Sequence, residues 1–235
     1  MKETPTKEFR SCVRNIIAGL LRFSGLPWLV RAVGERGNRA TILVYHNPRP
    51  ADFARHLTFL SKRYSFITLD QLVLAIRTKD WAILPRRPLV ITIDDGRKEN
   101  YDLLSTVRAF GVIPTLLVCT RKVGSTKPFW FLRVGTEEKK RLKAVANSER
   151  TRKLGMQDGA EEGQDRQALS QAEMLEMASA FRFESHTCTH PVLPNCTDEE
   201  CYEELTQSRQ YIQAMYGRDC RHFDFPHGDY RDRDC

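Results

Sequence analysis

The chain has 235 residues, 41% of them hydrophobic and 29% charged, with a net charge of +7. That length buries one sizeable core and argues against two full domains, and the composition is ordinary for a soluble globular protein. Seven cysteines, an odd number with no paired CxxC spacing, read as reduced thiols and not as a disulfide framework.

Residues 1–39 form a basic extension in which eight lysines and arginines face three glutamates, carrying +5 of the +7. The apolar run "NIIAGLL" is broken by Arg22, too early for a secretion signal or a membrane span. Short apolar patches separated by arginines, with Trp28 among them, suit either peripheral contact with an anionic membrane through residues 8–33, or a helix packed on the outside of the domain. A cytoplasmic location, or the cytoplasmic face of a membrane, is the expectation.

From residue 40 to the end one domain is expected, in which strands and helices alternate. "ATILVYH" (40–46) is a short strand, "ADFARHLTFLSKRY" (51–64) a helix, "SFITL" a brief strand and "LDQLVLAIR" a helix. "LVITID" (89–94) is the clearest buried strand, followed by a helix over "NYDLLSTVRAFG" stopped at Gly111 and a strand over "VIPTLLVCT". Residues 133–168 are a charged insertion, expected to be a solvated helix plus a mobile loop; both signs are interspersed, so no nucleic-acid partner is expected. "SQAEMLEMASA", the strand "FRFES" and a helix capped at Thr197 or Asp198 follow, and "HFDFPHGDY" (222–230) is a final strand and loop. Such alternation implies a parallel sheet or barrel with its chemistry at the carboxyl ends of the strands.

Three polar motifs fall at such ends: Asp94-Asp95-Gly96, His186-Thr-Cys-Thr-His190 and Pro226-His227-Gly228. Alone, each has an ordinary reading. An Asp-Asp-Gly can cap a helix, and a pair of histidines four apart can sit on any surface. Together they suggest two imidazoles and a carboxylate around one ion with a water in the open position, a recurrent zinc arrangement. Cys188 is a further possible ligand, though its side chain is expected to point away. His46 suits a structural hydrogen bond, His56 a plain surface position, and Cys119 a small core residue.

These motifs, with the opening "ILVYHNP", make residues 41–230 resemble the polysaccharide deacetylase family, the metal-dependent carbohydrate esterases with a NodB-homology domain. The resemblance implies a distorted (β/α) barrel and a hydrolase that removes N-acetyl groups from a sugar in a polysaccharide or glycan precursor. It implies Asp95, His186 and His190 as ligands of a divalent metal, usually zinc, and Asp94 as the catalytic base. It also puts an oxyanion-binding N–H at His227 beside Pro226. Trp130 either flanks the substrate groove or fills the core.

Three departures stand out. His227 replaces a family tyrosine, and Asp224 stands where some members carry an arginine that orients the base. The chain also reaches Cys235 without the leucine-x-histidine segment that supplies the general acid. An incomplete barrel lacking its last strands is therefore expected, with His227 or His222 as substitute acids of small prospect. The alternative is a weakly active or inactive metal-bearing sugar-binding domain or fragment.

Overall fold

The structure is a computed structural model, described here for residues 7–26, 29–30, 38–155 and 165–231. Trp28 and Arg31 of the basic extension, residues 156–164 of the charged insertion and the last four residues lie outside the described residues. The chain divides into two units, residues 1–40 and 41–235. In the first, α1 (Lys7–Phe23) is amphipathic, and Ile16, Ile17, Leu20, Leu21 and Phe23 are exposed on it. No helix among the described residues is long and apolar enough to cross a membrane.

The second unit is built on a five-stranded parallel sheet. Its strands are β1 (Thr41–Tyr45), β2 (Ser65–Phe66), β3 (Pro88–Ile93), β4 (Thr115–Val118) and β5 (Arg182–Ser185), in the order β1-β3-β4-β5 with β2 paired to the start of β3. Every residue of β3 and β4 is buried. Continuous apolar runs of this kind mark parallel strands covered on both faces. β1 is an edge strand, and its outward residues Ile42 and Val44 are half exposed.

The helices follow local signals. α2 (Pro50–Ser61) starts on a proline and buries Phe53 and Leu57, one turn apart. α3 (Leu69–Thr78) opens with a capping box between Thr68 and Gln71, and α4 (Leu104–Phe110) ends at Gly111 with φ 62°. α4 is preceded by a 3₁₀ segment, Lys98–Leu103, where a continuous helix was expected. The core joins Phe53, Leu57, Leu89, Ile93, Leu116 and Phe183 among others. Each such side chain contributes roughly 1.5–3 kcal/mol by leaving water.

Two expectations need correction. The charged insertion contains two short helices, α5 (Thr136–Lys143) and α6 (Asn147–Lys153), and it is not simply solvated. Leu142 and Arg150 are buried, Leu142 with Trp130 and Val192. Residues 222–225 form no strand: they contribute a single bridge, Ser185 to Phe223, because only one pair of residues reaches ladder geometry with β5. Before that bridge come α7 (Gln171–Met177), capped by Ser170, and α8 (Asp198–Tyr216), which opens with a Thr197–Glu200 capping box.

Candidate metal centre

β3 delivers Asp94 and Asp95 to its carboxyl end. Asp94 N–H still bonds to Tyr45 O at 2.9 Å, and the chain then leaves the sheet with Asp95 at φ 75° and Gly96 at φ 70°. A Cβ on Gly96 would stand 2.6 Å from Val118 Cγ1, so only glycine passes under β4 here. Asn100, fully buried, bonds Arg97 N–H and His46 O and so pins this turn to the end of β1.

The loop after β5 brings in the histidines. Thr187 (φ 68°) and His190 (φ 63°) are also left-handed, so non-glycine residues in this uncommon conformation cluster at the site. Thr187 Oγ1 accepts from His190 N–H at 3.1 Å, closing the turn. Beneath it, the buried Glu204 carboxylate of α8 accepts from the amides of Cys188 (2.7 Å) and Thr189 (2.9 Å) and from the Thr189 hydroxyl (2.5 Å). His186 Nδ1 lies 2.9 Å from the Asp224 carbonyl. A carbonyl only accepts, so Nδ1 carries the proton and Nε2 presents its lone pair, the orientation that suits a metal-binding histidine.

Donor atoms of Asp95, His186 and His190 lie within 4.8 Å of one another, and all three residues are buried. Asp95 Oδ1 is 3.3 Å from His190 Nε2 and 3.9 Å from His186 Nε2. It makes no hydrogen bond of acceptable geometry despite being buried. A buried carboxylate oxygen without a donor, facing two imidazole nitrogens, is the environment a divalent cation would satisfy; two nitrogens and one oxygen suit zinc. Cys188 is not part of this set: its thiol lies 3.5 Å from Glu204 O.

Burial sets the electrostatics. Asp94 is pushed up to about 7 by desolvation, then by the like charges of Asp224 and Asp95. Burial also acts to raise Asp95, but the His190 and His186 rings outweigh it and hold its carboxyl below the ordinary value. His186 is driven down to about 3, chiefly by burial and then by His190. One of two neighbouring carboxylates thus takes up protons near neutrality while the other stays charged.

The remaining expected residues are placed as follows. The mostly exposed His46 ring lies 3.8 Å from Asp94 Oδ2. His227 packs its ring edge-on against His190, centroids 4.6 Å apart, and burial pushes it down to about 2. Pro226 is buried at the start of the turn that carries His227. His222 bonds Asp70 at 2.9 Å, and His56 is exposed and bonded to the Tyr45 hydroxyl at 3.0 Å. Trp130 does not present its face to solvent: it is 3% exposed, and its indole N–H donates to His190 O at 2.8 Å, supporting the loop from behind. Sequence reasoning missed Glu204. Its signal was a charge at the helical spacing of the buried residues Cys201, Ser208 and Ile212.

Comparisons with known proteins bear on the fold and the family. The fold matches that of Streptococcus pyogenes deacetylase PplD in complex with acetate (TM-score 0.58, 17% identity, 82% of this chain and 76% of that one). It also matches IcaB from Ammonifex degensii (TM-score 0.58, 17% identity, 84% and 78%). A polysaccharide deacetylase from Bacillus cereus is similar too (TM-score 0.56, 20% identity, 83% of this chain), and there the chain spans about half of the longer protein, 52%. No curated protein is a significant match. The sequence model of the polysaccharide deacetylase family covers residues 83–234, more than half of the chain and every residue of the candidate centre, and this chain therefore belongs to the polysaccharide deacetylase family.

Proposed function

We propose that this chain is a metal-dependent N-deacetylase, hydrolysing N-acetyl groups on a sugar polymer or glycan precursor. The observation that carries this reading is the convergence of Asp95, His186 and His190 within 4.8 Å, with buried Asp94 next to them in sequence. Family membership supports the reaction class. Asp95, His186 and His190 would hold the ion, zinc by its donor set, which when bound acidifies a water and polarises an acyl carbonyl. Asp94 would accept the proton of the attacking water; its proton affinity near neutrality lets it take up and release a proton at working pH. The His227 backbone N–H would face the developing oxyanion, positioned by the turn that begins at Pro226. The amide C–N bond would then break as the proton held by Asp94 passes to the leaving nitrogen, giving an amine and acetate.

The test is acetate release from acetylated chito-oligosaccharides, together with metal analysis. Asp94→Asn is expected to lower kcat by about 10²-fold or more with zinc content unchanged, whereas His186→Ala and His190→Ala lose zinc. Zinc at wild-type stoichiometry in both histidine variants overturns the ligand assignment. Oligosaccharide binding without acetate release points instead to a sugar-binding domain.

We also propose that α1 rests on an anionic membrane surface. Its exposed Ile16, Ile17, Leu20, Leu21 and Phe23, with Arg14 and Arg22 on the same helix, support that partner.

A further inference from the structure

A cleft of about 670 Å³ is lined by residues of the 121–133 segment, of α6 and of α8. Arg121, Lys122, Lys127, Arg133 and Arg150 all reach its walls, against two carboxylates, Glu200 and Glu204. Both carboxylates are already engaged. Glu204 anchors the histidine loop through the amides of Cys188 and Thr189. Glu200 accepts from Thr197 N–H and from Asn147 Nδ2, each at 2.9 Å.

The cations, by contrast, bond to neutral acceptors. Arg121 donates to Gln207 Oε1 (2.5 Å), Arg133 to Leu154 O (3.0 Å), Lys122 to Pro128 O (3.0 Å) and Arg150 to Asn147 Oδ1. Arg150 is only 3% exposed, its guanidinium lies 4.9 Å from the Trp130 ring, and its Nη1 is buried without a hydrogen-bond partner among the described residues. Lys122 is 4% exposed and offers three N–H donors to one carbonyl. Burial lowers the proton affinity of both, and the attraction of Glu204, with Glu200 as well for Arg150, offsets that only in part. A buried donor of a cation left without a hydrogen bond is costly, and native structures leave few such groups unsatisfied.

We infer that this cleft binds an oxyanion of the phosphate class, with Arg150 Nη1 and Lys122 Nζ as its innermost donors. A planar guanidinium and an ammonium on the walls of one cleft offer the bidentate and point-charge modes by which proteins hold phosphate. The phosphate is either free or carried on a sugar. Because Trp130 both lines this cleft and donates to His190 O, an occupant here would sit beside the support of the candidate metal centre.

Titration calorimetry on the zinc-stripped full chain tests this without reference to deacetylation, since no metal is then present to capture the anion. The probes are inorganic phosphate, N-acetylglucosamine 1-phosphate and N-acetylglucosamine. Binding of the two phosphates and not of the neutral sugar supports the site. Tighter binding of the sugar phosphate by about tenfold identifies a phosphosugar, and equal binding identifies free phosphate. Lys122→Met and Arg150→Gln should each weaken binding about tenfold or more, while Glu137→Gln, on the exposed face of α5, leaves it unchanged. If the buried variants fail to fold, Arg121→Gln and Lys127→Gln, which are less buried, should weaken it about threefold and reduce its salt dependence. No heat with either phosphate at about 10 mM, or undiminished binding in the folded variants, overturns the inference.

Discussion

Asp94 and Asp95 are neighbours of identical chemistry whose proton affinities the fold drives apart, one up to about 7 and the other below the ordinary value. The upward shift has a stability consequence. Between its ordinary value of 3.8 and about 7, Asp94 stays protonated when folded but ionises when unfolded. Its contribution to stability is therefore full at low pH and is lost as pH rises to 7. In metal-stripped protein Asp94→Asn should unfold at the same temperature as wild type near pH 4 and at a higher one near pH 8, the gap approaching ~4 kcal/mol at most. Both proteins carry His186, so its own opposite titration cancels in the difference. A pH-independent gap in thermal unfolding would contradict the assignment. Gly96 is the second residue-scale case. Gly96→Ala meets Val118 at 2.6 Å as well as a left-handed φ, whereas Gly111→Ala meets open space at a similar φ. The Gly111 change should cost about 1 kcal/mol, and the Gly96 change about 1–3 kcal/mol beyond that, measured by denaturant unfolding.

At the scale of elements, the site depends on three anchors from different parts of the chain. α8 contributes Glu204 beneath the histidine loop, the 222–225 segment contributes the Asp224 carbonyl to His186, and Trp130 supports His190 O. Glu204→Gln keeps the shape but removes the charge that holds two amides and a hydroxyl. It should weaken zinc affinity by about tenfold, the usual cost of losing a group that positions metal ligands, with Tm lowered. Competition with a chromogenic chelator reads this directly, and unchanged affinity would remove Glu204 from the set of positioning residues. The cap expected at Thr197 or Asp198, which the structure places at Thr197, and the stop at Gly111 were legible in sequence because caps are local. The supposed strand at 222–225 was not, because a strand exists only through a ladder with a partner distant in sequence.

For the whole molecule, the two units pose separate questions. The basic extension bears a helix with exposed apolar side chains and arginines. The full chain should co-sediment with phosphatidylserine-containing vesicles, bind neutral vesicles more weakly and lose binding as salt rises; Leu20→Glu with Phe23→Glu should abolish it. Retention of binding in that double variant would exclude α1 as the contact. In the second unit, family and parallel α/β architecture were readable because apolar runs, glycines and the Asp-Asp-Gly and His-x-x-x-His motifs are one-dimensional patterns. They named the candidate ligands without placing them. Only the tertiary structure brought Asp95 beside imidazoles about ninety residues further on, raised Asp94, buried Trp130 and set buried Arg150 in a cationic cleft. Those properties depend on which groups from remote segments exclude water together, and burial and Coulomb interaction act through space, where separation along the chain carries no information.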